Sequence, residues 1–252
     1  MSGHSKWKSI KNQKGAADAK RGQLFTKLTR EIIFATRAGG GNPDGNSRLR
    51  LAIQKARDAS MPSDNIERAI KKGEGTAEGQ VMFEATYEGY GPGGSAIMVD
   101  IVSDNRNRAV QELRSAFTRA GGNLGETGGV AWMFESRGVI GVSAEGKNID
   151  ELTMQAIDAG AEDVAPQGDY IEIYTKPGEL EIVRKALEKA GVAVENAELA
   201  KVPKTTVSLD EHTSFQVLRM LDRLEEMDDV QNVYNNVEFS DEIMEKYQAQ
   251  AK

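Results

Sequence analysis

The stretch RSAFTRAG at residues 114–121 has a counterpart at residues 184–191, which read RKALEKAG. Each copy ends a predicted helix and precedes a short predicted strand. Strands and helices alternate around both copies, between Phe83 and Phe239. Repeated β-α-β units joined by hairpins are typical of ferredoxin-like α+β sandwiches. The repeat therefore predicts two such domains in this chain.

The order of the predicted elements indicates how the two domains share the chain. The strands around the first copy lack a second helix before residue 138, whereas the helix predicted at residues 214–227 has no partners of its own. If one α/β domain is inserted into the other, the strands around the first copy gain their second helix and the helix at residues 214–227 gains a sheet to pack on. We therefore expect one domain at residues 78–135 plus 203–240, interrupted by an inserted domain at residues 136–202. Two of the strands are expected at residues 129–134 and 230–239, and the tail is expected to fray.

A glycine-rich linker at residues 73–79 separates these strands from a helical start. Apolar residues follow helical spacing in three segments, at residues 18–38, 47–59 and 62–73. In the first segment a cationic face lies opposite the apolar face. Three short helices in so few residues predict a small bundle with a largely basic surface.

Glycines 39–41 end the first predicted helix, and Asn-Pro-Asp-Gly at residues 42–45 supplies a turn. The basic helical domain is expected at residues 1–77, with a flexible arm at residues 1–17. The predicted fold class is α+β, with an N-terminal three-helix bundle plus two ferredoxin-like α/β domains, one inserted in the other.

Charge divides the chain into two blocks. Residues 1–75 hold 16 Lys and Arg against 7 Asp and Glu, a net charge of about +9. Residues 76–252 hold 16 basic and 32 acidic side chains, a net charge of about −16. The overall value of −7 conceals this split. Such a distribution is typical of a polyanion-binding end joined to an acidic body.

The basic block predicts a nucleic acid, either DNA or ribosomal RNA, as the partner. Lys and Arg neutralise phosphates and release counterions, and an exposed Trp can stack on a base. Phe34 lies near the cationic face of the first helix. The alternative is a bundle with solubilising charge and a solvated tail, which poorly explains so much positive charge in an acidic chain. The predicted contacts are Lys6, Trp7, Lys8, Lys11, Lys14, Lys20, Arg21, Lys27, Arg30, Arg37, Arg48, Arg50, Lys55 and Arg57.

A second, accessory contact is predicted in the segment Ser-Asp-Asn-Arg-Asn-Arg at residues 103–108. One of its first three residues can cap a helix at residues 106–120. Arg106 and Arg108 are then expected beside the loop at residues 122–125, where they could contact RNA, DNA or protein. The alternative is helix capping with ordinary surface charge.

The sequence gives little support for an enzyme. Residues 89–94 match G-x-G-x-x-G, but a strand follows where a dinucleotide site needs a helix, so a hairpin loop is expected. His4 and His212 are the only histidines, and the chain has no cysteine. His212, and the acidic run Glu225, Glu226, Asp228 and Asp229, are interpreted as solvated. We expect no catalytic residue, no metal and no cofactor.

The location is predicted from what the sequence lacks. No stretch approaches 18 apolar residues, so no membrane span is expected. The polar, basic start is not a secretory signal, although a mitochondrial presequence remains an alternative. The absence of cysteine is consistent with a reducing compartment. We expect a cytoplasmic protein.

Several segments together resemble the YebC/PmpR family, which also includes the mitochondrial translational activator of cytochrome c oxidase. The segments are MSGHSKW at 1–7, DAKRG at 18–22, FTK at 25–27, GGGNPD at 39–44, NIERAI at 65–70, YEGYGPGG at 87–94, SDNRNR at 103–108, GGNLG at 121–125, AGAED at 159–163 and DDVQ at 228–231. The resemblance implies a three-domain cytoplasmic protein with a helical N-terminal domain and two α/β domains. It implies no enzyme activity.

The resemblance leaves two functions open. The family has long been classed as DNA-binding transcriptional regulators, and members are also implicated in relieving ribosome stalling on sequences such as proline runs. A DNA-binding regulator would hold phosphates with its basic helices, although no clear recognition helix is visible. A ribosome-associated factor would use the same surface on ribosomal RNA. In either case the acidic domains could bind a protein partner.

Overall fold

The computed structural model describes residues 18–75, 82–167 and 170–250, and only the backbone of residues 18–20 and 167. Its helices are α1 Asp18–Gly39, α2 Ser47–Asp58, α3 Ser63–Glu74, α4 Arg106–Arg119, α5 Ile149–Asp158, α6 Leu180–Lys189, α7 Glu211–Glu225 and α8 Asp241–Gln250. Its strands are β1 Phe83–Tyr90, β2 Ala96–Ser103, β3 Asn123–Leu124, β4 Phe134–Ser143, β5 Asp163–Gln167, β6 Tyr170–Thr175, β7 Val194–Pro203, β8 Val207–Ser208, β9 Val230–Asn235 and β10 Val237–Glu238. The predicted α+β class is confirmed.

The N-terminal helices α1, α2 and α3 pack around one apolar core, as the helical spacing predicts. Ile32, Leu49 and Ile66 contribute to this core from the three helices in turn. Gly73 of α3 lies so close to α1 that a Cβ added to it would be 2.6 Å from the Cβ of Thr36. Glycine at this position therefore allows the two helices to pack closely.

Asn46 fixes the turn between α1 and α2. Gly40 adopts a positive φ of 85°, and its amide donates to the Thr36 carbonyl at 2.7 Å. The Asn46 side chain donates to the carbonyls of Ala35 at 2.8 Å and Gly40 at 2.9 Å, while its oxygen accepts from the Leu49 amide at 3.0 Å. One side chain thus satisfies the end of α1 and the start of α2.

The first sheet has the strand order β3-β1-β2-β9. β1 and β2 form an antiparallel hairpin in which Phe83 pairs with Ser103 and Tyr90 with Ala96. Its strands come from both sides of the second sheet in the chain, because β9 follows β7. The chain therefore begins the first sheet, forms the second, and then returns to the first, which is the chain order expected for an inserted domain.

The second sheet has the order β5-β6-β4-β7, and its pairs are antiparallel. Its chain order, β4-α5-β5-β6-α6-β7, is that of a ferredoxin-like unit. The first sheet is built differently, because it begins with the β1-β2 hairpin and receives α7 and β9 only later. Ile140, Ile171 and Leu187 lie in the core between the second sheet and its helices.

The repeated stretch has the same structure in both copies. Gly121 and Gly191 follow α4 and α6 with φ values of 82° and 81°. The next amides in the chain donate back to the carbonyls of Phe117 at 2.9 Å and Leu187 at 3.0 Å, and both of these side chains are fully buried. The sequence repeat therefore encodes a buried anchor and a left-handed glycine that end a helix.

The described residues fall into two compact units, one with residues 18–129 and 215–233 and the other with residues 130–214 and 234–250. The domain limits at 1–77, 78–135 plus 203–240 and 136–202 stay predictions. None of the described helices is long and apolar enough to cross a membrane.

Three regions differ from the sequence-based expectation. The strand expected at residues 129–134 is mostly a 3-10 turn, at Ala131–Met133, and β4 begins only at Phe134. The expectation of a frayed tail is wrong, because α8 buries Met244 and Tyr247. The strand expected at residues 230–239 is also broken, since the Asn235 side chain accepts from the Val237 amide at 2.8 Å.

Candidate nucleic-acid interface

The predicted contacts on the arm lie outside the described residues. They are Lys6, Trp7, Lys8, Lys11 and Lys14. Lys20 lies in the first turn of α1, where only the backbone is described. Arg21 is exposed in the same turn, and Arg37 is half-buried in the last turn. These two arginines are about 24 Å apart along the helix axis, at 1.5 Å per residue.

Helix α2 carries three further predicted contacts that are exposed, which are Arg50, Lys55 and Arg57. Its rotation is fixed because its apolar side chains are buried in the helical core. Arg50 and Arg57 are seven residues apart, so they point within about 20° of each other, and Lys55 projects about 150° away. Arg50 donates to the Pro43 carbonyl at 3.3 Å. Helix α2 therefore presents cations on both sides of its exposed surface.

Helix α3 adds two lysines that the predicted contacts omit. Lys71 and Lys72 are exposed in its last turn, and among the described residues neither lies within 4 Å of a carboxylate. Their signal was present in the sequence, since they lie away from the apolar positions Ile66 and Ala69. We name five exposed cations of these two helices, Arg50, Lys55, Arg57, Lys71 and Lys72, together the α2–α3 surface.

Arg48, also a predicted contact, already binds other side chains of the protein. Its guanidinium donates to Glu31 at 2.7 and 3.2 Å and to Glu84 at 2.9 and 2.6 Å, and it stacks over Phe34 at 4.6 Å from the ring centre. Burial lowers the pKa of Arg48, but the hydrogen bonds to Glu84 and Glu31 outweigh that effect and raise this pKa above its ordinary value. Arg48 therefore has little freedom to bind a phosphate.

Lys27 and Arg30 of α1 are also engaged. Lys27 donates to the main-chain oxygen of Glu225. Arg30 forms an ion pair with Asp229, whose side chain is only 5% exposed. Both cations therefore hold α1 against the end of α7 and the segment that follows it, and they contribute less to an outer surface than the charge pattern predicts.

Arg106 and Arg108 lie at the start of α4, away from the loop at residues 122–125 where they were expected. That expectation is wrong because the loop follows the other end of the helix, about 20 Å away at 1.5 Å per residue. The Asn105 side chain caps α4 by accepting from the Arg108 amide at 3.1 Å. Arg106 stacks over Phe83 at 5.1 Å from the ring centre.

Arg108 meets Arg30 at the same carboxylate. Its guanidinium donates to the two Asp229 oxygens at 3.2 and 2.9 Å and to Asp104 at 2.9 Å. Ser103 donates to Asp229 at 2.8 Å. The hydrogen bond from Arg108 holds the pKa of Asp104 below its ordinary 3.8. We name these residues, Arg30, Ser103, Asp104, Arg108 and Asp229, the Asp229 junction.

The role of Asp229 was not predicted from the sequence. It stands in an acidic run that was interpreted as solvated, and that interpretation is wrong for Asp229, which is 4% exposed. Its partners come from α1, from β2 and from α4, far away in the chain. No spacing rule connects them, so only the tertiary fold reveals the junction.

The titratable groups form no obvious reaction centre in the part of the chain that is described. His212 is exposed near the start of α7, and His4 lies outside the described residues. No group of three His, Asp or Glu side chains in the described ranges is placed to hold a metal ion.

Comparison with known proteins identifies the family. The model of the TACO1/YebC N-terminal domain matches residues 5–76, and that of the TACO1/YebC second and third domain matches residues 82–237. A relative from Dehalococcoides mccartyi, named "Probable transcriptional regulatory protein", is 61% identical over the full length of both chains. One from Moorella thermoacetica with the same name is 54% identical, covering 98% of this chain and 99% of its own.

A solved structure shows the same fold. The crystal structure of a conserved hypothetical protein from Aquifex aeolicus superposes with a TM-score of 0.83 at 52% identity, covering 90% of this chain and 94% of that one. Family models and full-length relatives therefore agree with the sequence resemblance. The chain belongs to the TACO1/YebC family.

Proposed function

We propose that this chain is a cytoplasmic nucleic-acid-binding regulatory protein without catalytic activity. Of two candidate functions, we favour that of a DNA-binding transcriptional regulator. The observation that carries the proposal is the α2–α3 surface, where five basic side chains are exposed on short helices with a fixed core. Contacts from Lys and Arg to phosphates supply sequence-independent affinity. The regulatory names of the full-length relatives support the same function.

The α2–α3 surface is suited to phosphates more than to base edges. Gln54 is the amide side chain on this part of α2, and it donates to Asp58 at 2.8 Å. This hydrogen bond to Asp58 competes with the paired hydrogen bonds by which Gln reads adenine. Arg50 and Arg57 remain, and their guanidinium groups bind the phosphates of DNA or RNA alike.

This composition favours one second candidate function. A surface of exposed cations whose one amide on α2 already donates to Asp58 also fits structured RNA, so a ribosome-associated translation factor is the alternative. Such a factor would bind ribosomal RNA and relieve stalling. The acidic domains, in the limits predicted from the sequence, would then bind a protein partner. Residues 134–203 carry 7 basic and 14 acidic side chains, which suits a basic protein surface.

The proposal is tested by removing three charges from α2 in the full chain. The variant Arg50→Gln/Lys55→Gln/Arg57→Gln is titrated with duplex DNA and with ribosomal RNA across a salt series. For every phosphate that the variant no longer neutralises, the slope of log affinity against log salt should fall by about 0.7–0.9. A slope equal to that of the wild type would contradict the proposal.

The matched control removes the same charge elsewhere. Lys176→Gln/Lys185→Gln/Lys189→Gln changes three exposed lysines in or just before α6, and its slope should stay within error of the wild type. Promoter duplexes and random duplexes then separate the two candidates. Binding that depends on promoter sequence supports the transcriptional regulator, whereas co-sedimentation with ribosomes and weak binding to random duplex support the translation factor.

A further inference from the structure

A groove between α4 and α7 contains two arginines that form no ion pair with any described residue. It has a volume of about 570 Å³ and is lined by Gln111, Glu112, Ser115, Arg119, Arg223, Glu226 and Met227. Along α4 it extends about 12 Å, from Gln111 to Arg119 at 1.5 Å per residue. That length accommodates about three successive phosphates of one strand, at 3.4 Å of helix axis each.

The two arginines of the groove differ from those at the Asp229 junction. Arg119 and Arg223 are exposed, and within the described residues neither forms an ion pair or a side-chain hydrogen bond. Although Glu112 and Glu226 line the same groove, they do not approach either guanidinium within 4 Å. Arg219, one turn before Arg223 on α7, is likewise exposed and unpaired in the described chain.

The groove lies directly beside the basic N-terminal helix. Gln23 in the second turn of α1 donates to the main-chain oxygen of Glu226 at 3.2 Å, and Glu226 lines the groove. The exposed Arg21 stands two residues before Gln23. Cations on α1 and in the groove therefore belong to one neighbourhood on the same compact unit.

We propose that the α4–α7 groove is a second binding site for the phosphate backbone of the nucleic acid, with Arg119 and Arg223 as its contacts. This inference rests on the proposed function. Guanidinium groups bind phosphates with two parallel hydrogen bonds, and an arginine without a carboxylate partner can make them without first breaking an ion pair. The nucleic acid then extends from the N-terminal helices across the start of the sheet region.

The test compares three full-length proteins: the wild type, Arg119→Gln/Arg223→Gln, and the control Lys185→Gln/Lys189→Gln. The control removes two exposed positive charges from α6. Affinity for duplex DNA and for ribosomal RNA is measured from 0.05 to about 0.3 M salt. The groove variant should lose about 1.4–1.8 from the salt slope and bind roughly 25- to 60-fold more weakly at 0.1 M salt, while the control stays near the wild type.

A gain-of-affinity variant excludes a general loss of structure. Replacing Glu112 and Glu226 by Gln removes two negative charges from the groove, so binding should tighten by about 2- to 5-fold at low salt. Nucleic acid should also protect Arg119 and Arg223 from phenylglyoxal modification, as read by mass spectrometry. Arg114, which projects from another side of α4, should stay reactive.

The outcomes separate this inference from the proposed function. If the wild type binds nucleic acid and the groove variant behaves like the control, the inference is overturned while the proposed function stands. In that case the groove is free for an acidic protein segment instead. If the wild type binds neither nucleic acid, both the proposed function and the second site fail together.

Discussion

Basic side chains are placed differently in the second sheet and in helix α2. Beside the second sheet, Arg184 of α6 pairs with acidic residues close in sequence, with Glu181 at 3.0 Å and with Glu188 at 2.6 Å. Arg137 pairs with Glu135 at 2.7 Å in the same way. Helix α2 has no acidic residue in its first turn, and its one carboxylate, in the last turn, accepts from Gln54.

The difference shows that the net charge of a region does not tell which cations are available. Sixteen basic side chains cannot all be neutralised by the seven acidic ones in residues 1–75. Some of them reach carboxylates in other parts of the chain, as Arg30 reaches Asp229 and Arg48 reaches Glu84. The cations that hold the fold together are therefore distinct from those left exposed for a partner.

The largest effect is expected from removing the charge at the Asp229 junction. Asp229→Asn leaves Arg30 and Arg108 facing a neutral side chain in a mostly buried site. Breaking a buried ion pair on one side costs about 3–5 kcal/mol, and partial exposure of the arginines reduces this to about 2–4 kcal/mol. The free energy of unfolding in urea measures the loss.

The neighbouring carboxylate supplies the control. Asp228 is exposed and forms no ion pair in the described structure, so Asp228→Asn should change the unfolding free energy by less than about 0.5 kcal/mol. Equal destabilisation by the two variants would mean that Asp229 stabilises the fold only through the overall charge of the protein, and not through its contacts in the junction. It would also remove the distinction between engaged and exposed cations.

A smaller effect should separate two arginines on one helix. Arg48→Gln loses the bonds to Glu31 and Glu84 and the stacking on Phe34, so it should destabilise the protein by about 1–2 kcal/mol. Arg50→Gln should cost less than about 0.5 kcal/mol. Affinity for nucleic acid should respond in the opposite order, with the larger loss for Arg50→Gln at equal salt. If both variants lost the same stability and the same affinity, the distinction between engaged and exposed cations would be contradicted.

The fold was largely predictable because its signals are local. Helical spacing defines α1 to α3, and the repeated stretch ends with Gly121 and Gly191 in the same left-handed conformation. The short strand β3 and the tail helix α8 were missed. Two residues of β3 give no alternation to detect, and α8 buries Met244 and Tyr247, two apolar side chains that belonged to no predicted element.

The candidate interface was predictable only as a set of charges. Helical spacing shows that Arg50 and Arg57 point away from the core, and the structure agrees. The same spacing also assigns Arg30 and Arg48 to an exposed face, because it contains no information about Asp229 or Glu84. Which cations are neutralised depends on contacts between residues distant in the chain. The periodicity of a sequence reports local structure and therefore does not predict those contacts.

The smallest expected effect concerns the exposed edge of the Asp229 junction. Arg108 lowers the pKa of Asp104 in the folded protein, so the ionised carboxylate stabilises the fold above its unfolded pKa, near 3.8. That contribution is lost as the pH falls through the lower folded pKa. Asp104→Asn should therefore cost about 0.3–0.5 kcal/mol at pH 7, a value typical of an exposed pair at this helical spacing. The difference between wild type and variant should disappear by about pH 2–3 and shrink in 1 M salt. A difference that is constant from pH 7 to pH 3 would show that the Asp104 side chain acts by packing, and that only Asp229 supplies charge to Arg108.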